Sequence, residues 1–119
     1  MQVTVEPGTE HAVLHLRGEL DTLSCSQLQD AIDRQVSANV QRIVLNLRLV
    51  KFINSTSLNA IVRASGALTK KGGKLAISNP SVFCKHVMEK VGVARIVPVF
   101  ESDEAAVSAL LGDQTRSAT

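Results

Sequence analysis

The chain has 119 residues, about one domain's length, with 45% hydrophobic and 20% charged residues, enough to build a single core without disulfide or metal support. Thirteen basic and eleven acidic residues leave a net charge of +2, and aromatics make up 3% with no Trp or Tyr, so the basic stripe and stacking rings of a nucleic-acid binder are missing. No charged-then-apolar leader is visible and no apolar run approaches the ~18 residues of a membrane span, so a cytoplasmic domain is expected.

Residues 11–17 alternate, Ala12, Leu14 and Leu16 against Val13, His15 and Arg17, which marks a half-buried strand. Residues 2–5 can pair with it as a hairpin through Pro7-Gly8. His11 and His15 share that strand, but no third metal ligand stands near them in sequence. Gly18-Glu19-Leu20-Asp21 then breaks the alternation. Ser24 with Gln27 reads as a capping box, and Leu23 with Leu28 as its hydrophobic staple. Leu28, Ala31, Ile32 and Val36 follow at helical spacing, predicting a helix over 25–38.

Residues 42–47 are almost continuously apolar, as suits a central strand covered on both faces. A loop is expected over 48–53, leading into Asn54-Ser55-Thr56-Ser57. Leu58, Ile61, Val62 and Leu68 then mark a second helix ending near Lys70. The Gly72-Gly73 turn carries the densest basic cluster, Lys70, Lys71 and Lys74, which reads as a solvated turn. A strand over 74–77 follows. Asn79, with Pro80 after it, is expected to cap a third helix that Gly92 stops. Residues 95–100 supply a short strand, and Ser102 caps a last helix with Asp103 and Glu104 in its favourable first turn. Gly112 is expected to close that helix, leaving residues 113–119 as a disordered polar tail.

The order β-β-α-β-α-β-α-β-α describes one α/β domain over residues 1–112, with a mixed, mostly parallel sheet of four to five strands and about four helices. Leu28, Leu45, Leu58 and Ile61 are expected in its core. Cys25 and Cys84 lack partners at metal-ligand spacing and read as buried or half-buried free thiols.

Partners of such a sheet meet the loops at the carboxyl ends of its strands, here 18–24 and 51–57. Ser55, Thr56 and Ser57 offer three hydroxyls at a helix N-terminus, where free N–H groups and the helix dipole favour an anion; capping of the helix by Asn54 and these hydroxyls is the competing reading. No serine has a positioned base with an acidic partner, and no nucleophile elbow or phosphate-cradling glycine motif is present. A non-enzyme without cofactor or metal is expected.

Gly18-Glu19-Leu20-Asp21 resembles the Gly-Glu-Leu-Asp after the second strand of STAS-domain anti-sigma factor antagonists. Ile43-Val44-Leu45-Asn46-Leu47 and, four residues on, Phe52-Ile53-Asn54-Ser55-Thr56-Ser57-Leu58 resemble that family's strand and its Phe-Ile-Asp-Ser-Ser/Thr-Gly-Leu phosphorylation loop. The Gly72-Gly73 turn, the Asn79-Pro80 helix start and Val91-Gly92-Val93 also fall where the family has them. The resemblance implies a bacterial partner-switching protein of signal transduction and transcription regulation. Unphosphorylated, it binds an anti-sigma factor, a serine kinase of the histidine-kinase ATPase type, and so frees a sigma factor. Phosphorylation by that kinase on Ser55, with Thr56 and Ser57 as lesser candidates, breaks the complex, and a PPM-type phosphatase reverses it. Asp21 matches the acidic residue beside the phosphoacceptor, and Thr22, Asn54, Thr56, Ser57 and Asn59 complete the surrounding surface. Asn54 stands where the family has Asp, and Ser57 and Asn59 where it has Gly. The alternatives are a STAS subunit docked on the ATPase of a lipid-trafficking ABC transport system, without phosphorylation, and a stressosome-type scaffold, which usually carries an N-terminal sensor module.

Overall fold

The computed structural model describes residues 1–8 and 10–118, with side chains up to residue 111. Five strands, β1 (Gln2–Pro7), β2 (His11–Leu20), β3 (Arg42–Ile53), β4 (Lys74–Ser78) and β5 (Val99–Phe100), form one sheet in sequential order. Only the β1–β2 pair is antiparallel, the expected hairpin; the other three pairs are parallel. Helices α1 (Cys25–Ser37), α2 (Ser55–Lys70), α3 (Val82–Val91) and α4 (Asp103–Ala118) complete the domain. The fold is therefore the mixed α/β sheet with four helices that the sequence predicts.

Two cores follow from the strand alternation. Leu14, Leu16, Leu45, Leu47 and Ile77 face α1, α2 and α3, which contribute Leu28, Leu58, Ile61, Leu68 and Met88. Val13, Val44 and Ala76 point the other way and are covered by Ala106 and Leu110 of α4. The continuous apolar run of β3 is thus used on both faces, and the four expected core residues, Leu28, Leu45, Leu58 and Ile61, are all buried. Both cysteines are free thiols, Cys84 buried and Cys25 half-buried.

Five local readings need correction. The expected loop over 48–53 is the second half of β3, hydrogen-bonded to β2 up to Leu20↔Ile53. Its alternation is hidden because the pairing register shifts twice, between His15 and Arg17 and between Gly18 and Glu19, each time with one extra residue on β3. The buried positions there are Val50 and Ile53, three apart instead of two. Gly18, at φ +106°, supplies the backbone at one of these irregularities that a residue with a Cβ adopts only under strain.

The start of α1 also differs. Ser24 makes no side-chain cap, because Thr22–Ser24 is already a 3-10 turn and Asp21 caps that turn instead. Leu23 is 86% exposed, so it makes no staple with buried Leu28. Asn79 does not cap α3: it takes a left-handed φ of +50°, and the hydroxyl of Ser81, beyond Pro80, accepts from the Cys84 amide at 3.3 Å. Proline disfavours helical backbone in the residue before it, which moves the cap past Pro80. Gly92 ends α3 as expected, in the left-handed conformation at φ +77°.

The last strand is only Val99–Phe100, a 3-10 turn over Val93–Arg95 taking the preceding residues. Ser102 accepts from the Ala105 amide at 3.1 Å, the expected cap of α4. That helix continues past Gly112 to Ala118; one interior glycine costs a helix only about 1 kcal/mol and does not have to stop it. The expected polar tail falls mostly on residues whose side chains lie outside the described part of the chain, as does all of Thr119.

Candidate functional site

Leu20 and Ile53 pair in register at the carboxyl ends of two neighbouring parallel strands. Asp21 and Asn54 are the next residues, so the two loops singled out in the sequence emerge side by side, about 4.8 Å apart as paired strands are. Helix α2, which begins at Ser55, packs against the Thr22–Ser24 turn. Asp21, Thr22, Asn54, Ser55, Thr56 and Asn59 thus belong to one end of the sheet.

At Asp21 the carboxylate accepts from the Ser24 amide at 3.0 Å and from the Ser24 hydroxyl at 2.9 Å. The hydroxyl is the main cause holding its carboxyl below the ordinary 3.8, with the Ser24 amide helping and desolvation opposing. A depressed pKa means that the cap is fully present above pH 3.8 and is lost as pH falls through the lower folded value. An NMR titration of the Asp21 carboxyl carbon should give a midpoint below 3.8, with the Ser24 amide shifting in step. A midpoint at or above the ordinary value would mean that this cap does not form in solution.

At the start of α2 the three hydroxyls are divided. Asn54 has extended backbone, and its side-chain oxygen accepts from the Ser57 amide at 2.9 Å. The Ser57 hydroxyl accepts from the Asn54 amide at 3.1 Å and donates to the Asn54 carbonyl at 2.9 Å. This reciprocal capping box leaves Ser57 with 0% exposure and closes it to any acceptor chemistry. Asn54 and Ser57 thus form the cap that the competing reading expects, and the Ser57 hydroxyl, a lesser candidate phosphoacceptor, is buried within it. Ser55 and Thr56 stay exposed in the first turn, which holds no acidic residue, and Asn59 is exposed one turn further on. An anion on Ser55 would meet the positive end of a sixteen-residue helix without a carboxylate beside it in that turn.

Two features escaped the sequence reading. Leu23 projects into solvent beside Asp21, the cost of a 3-10 turn where a staple was expected. Phe52, 39% exposed, stacks on Phe83 of α3, 48% exposed, with ring centroids 6.3 Å apart. The signal available was that Phe83 sits one position off the buried Cys84–Met88 stripe of its helix. His11 stays out of the one group of ligand-type side chains that the fold assembles among the described residues. Glu6, His15 and Asp103 bring ligand-type atoms within 4.8 Å of one another, while the His15 Nε2 is hydrogen-bonded to Glu6 at 2.9 Å. Among the described residues no helix is long and apolar enough to cross a membrane.

The chain is 22% identical over 111 residues to the anti-sigma F factor antagonist of Paenibacillus polymyxa, covering 92% of this chain and 95% of that protein. It is 27% identical to the putative anti-sigma factor antagonist BtrV of Bordetella bronchiseptica, covering 92% and 94%. The Bacillus cell-fate determinant SpoIIAA in its phosphorylated form shares the fold, with a TM-score of 0.68 and 23% identity over 91% of this chain and 98% of that one. Residues 1–106 match the STAS domain, from the β1–β2 hairpin through the start of α4, and the chain belongs to the STAS domain family.

Proposed function

We propose that this chain is an anti-sigma factor antagonist: a cytoplasmic binding domain, not an enzyme, that captures an anti-sigma factor with the surface around Asp21, Thr22, Ser55 and Asn59. Phosphorylation of Ser55 by that partner, a serine kinase of the histidine-kinase ATPase type, ends the complex, and a PPM-type phosphatase restores it. The observation that carries the reading is the division of the hydroxyls: Ser57 is consumed by the capping box, while Ser55 is exposed at the first position of α2. The names of the two relatives support the antagonist role, and the phosphorylated SpoIIAA structure supports the switch.

The departures from the family motif fit this reading. An asparagine oxygen caps α2 as an aspartate would, without adding a second carboxylate to that of Asp21, and Ser57 takes the second half of the box. A phosphoryl group on Ser55 then needs little rearrangement within the domain, so its effect falls on the interface, where an unpaired buried charge is strongly disfavoured.

Titration calorimetry against the anti-sigma factor recovered by pull-down from the native host tests the proposal. Wild type and Ser55→Ala should bind alike, and Ser55→Asp should bind weaker by about 2 kcal/mol, roughly thirtyfold. With ATP, mass spectrometry should find phosphate on Ser55 of the wild type, and only Ser55→Ala should resist release. Equal affinity for all three proteins, or phosphate confined to Thr56, would overturn it.

A further inference from the structure

The α4 face of the sheet is not fully covered. Val13 and Val44 lie under α4, but further along the same strands Arg17 and Arg48 are exposed. With Lys51, Leu49 and Phe83 they line a hollow of about 420 Å³. A second hollow, of about 370 Å³, continues from Arg48 along the start of α3 past Val82 to Lys85. Of the large hydrophobic side chains that are exposed, Leu49, Phe52, Val82 and Phe83 gather here. The charge is one-sided. No carboxylate lines the first hollow, and among the described residues Arg17, Arg48 and Lys51 have no ion-pair partner. Acids stand outside the first hollow: Glu101 lies 3.4 Å from Lys85 in the second, Glu19 pairs in register with Phe52, and Asp103, bonded to Asn46, meets Glu6 and His15 two residues before Arg17 on β2.

We propose that this hollow is a second docking surface, separate from the Ser55 end of α2, for an acidic segment of a partner protein that seats an apolar side chain against Leu49 and Phe83. Three cations without carboxylates favour an anionic occupant, and two of them are arginines, whose planar forks bind carboxylates in pairs. The apolar floor adds burial that a simple anion would not use. An acidic amphipathic segment uses both features at once, its carboxylates on the arginines and its apolar side chain on Leu49 and Phe83.

Fluorescence anisotropy of the full chain with a short labelled peptide of Glu and Leu in amphipathic helical order provides the test. Saturable binding is expected at low ionic strength, weakening as salt is raised. The double variant Arg17→Glu, Arg48→Glu should lose affinity by about tenfold or more, as should Phe83→Ser, and the peptide with Lys for Glu should not bind. Amide NMR spectra check that each variant folds, with Lys51→Glu as the substitute for one that does not. Ser55→Asp should bind the peptide as wild type does, so this result stands or falls apart from the proposed switch. Absent binding, undiminished affinity in the variants, or loss in Ser55→Asp equal to that of the arginine pair would overturn the proposal. Retention by phosphatidylglycerol vesicles or single-stranded DNA without peptide binding would overturn it too.

Discussion

Leu58→Ala should destabilise the domain by about 2–5 kcal/mol in urea denaturation. Leu58 is fully buried, one turn into α2, in the larger core with Leu45, Ile61 and Met88. Truncation removes apolar burial and leaves a cavity that rigid neighbours on the sheet fill poorly. The adjacent Asn59 is exposed, so Asn59→Ala should stay within about 0.5 kcal/mol of wild type. A loss within error for Leu58→Ala would place that helix face wrongly. A loss as large for Asn59→Ala would do the same.

The second large effect is expected at Asp103, where the structure ties α4 to the sheet. One Asp103 oxygen accepts from the Asn46 side chain at 2.8 Å and from the Ser78 hydroxyl. Both donors are buried, on β3 and β4, and Asn46 in turn accepts from the Arg48 amide at 2.9 Å. Asp103→Ala leaves two donors without that acceptor, each costing about 1–3 kcal/mol, and removes a negative charge from the start of α4. Asp103→Asn keeps an oxygen in place and should recover much of the loss. Denaturation midpoints of the two variants measure the difference; equal, small losses would mean that the buried donors find other acceptors.

Much of the fold is legible in the sequence because periodicity reports directly on burial. The alternation of Ala12, Leu14 and Leu16 and the continuous run at 43–45 each predict the strand that forms and the side chains that it buries. The helical spacing of Leu58, Ile61 and Leu68 does the same for α2. What fails is local and has a common cause: several residues compete for one role, and backbone geometry chooses between them. Asp21 takes the cap that the sequence assigns to Ser24, and Ser81 takes that of Asn79. The second half of β3 is hidden because its two extra residues break the period of two while the ladder to β2 persists. At the candidate site, the position of Asp21 beside Asn54 follows from reading two consecutive strand ends. The burial of Ser57 does not, since the sequence shows three equivalent hydroxyls and only the capping box distinguishes them.

The sequential strand order bears on what kind of molecule this domain can grasp. In doubly wound sheets the order reverses, neighbouring loops part to opposite faces, and the resulting crevice holds a nucleotide or a similar small molecule. Here every parallel crossover steps the same way along the sheet, and α1, α2 and α3 all lie on one face. Among the described residues, then, the carboxyl edge lacks the crevice that forms where the strand order reverses. What that edge offers instead is a row of helix starts and turns, a contour that suits the protein partner of the proposed function.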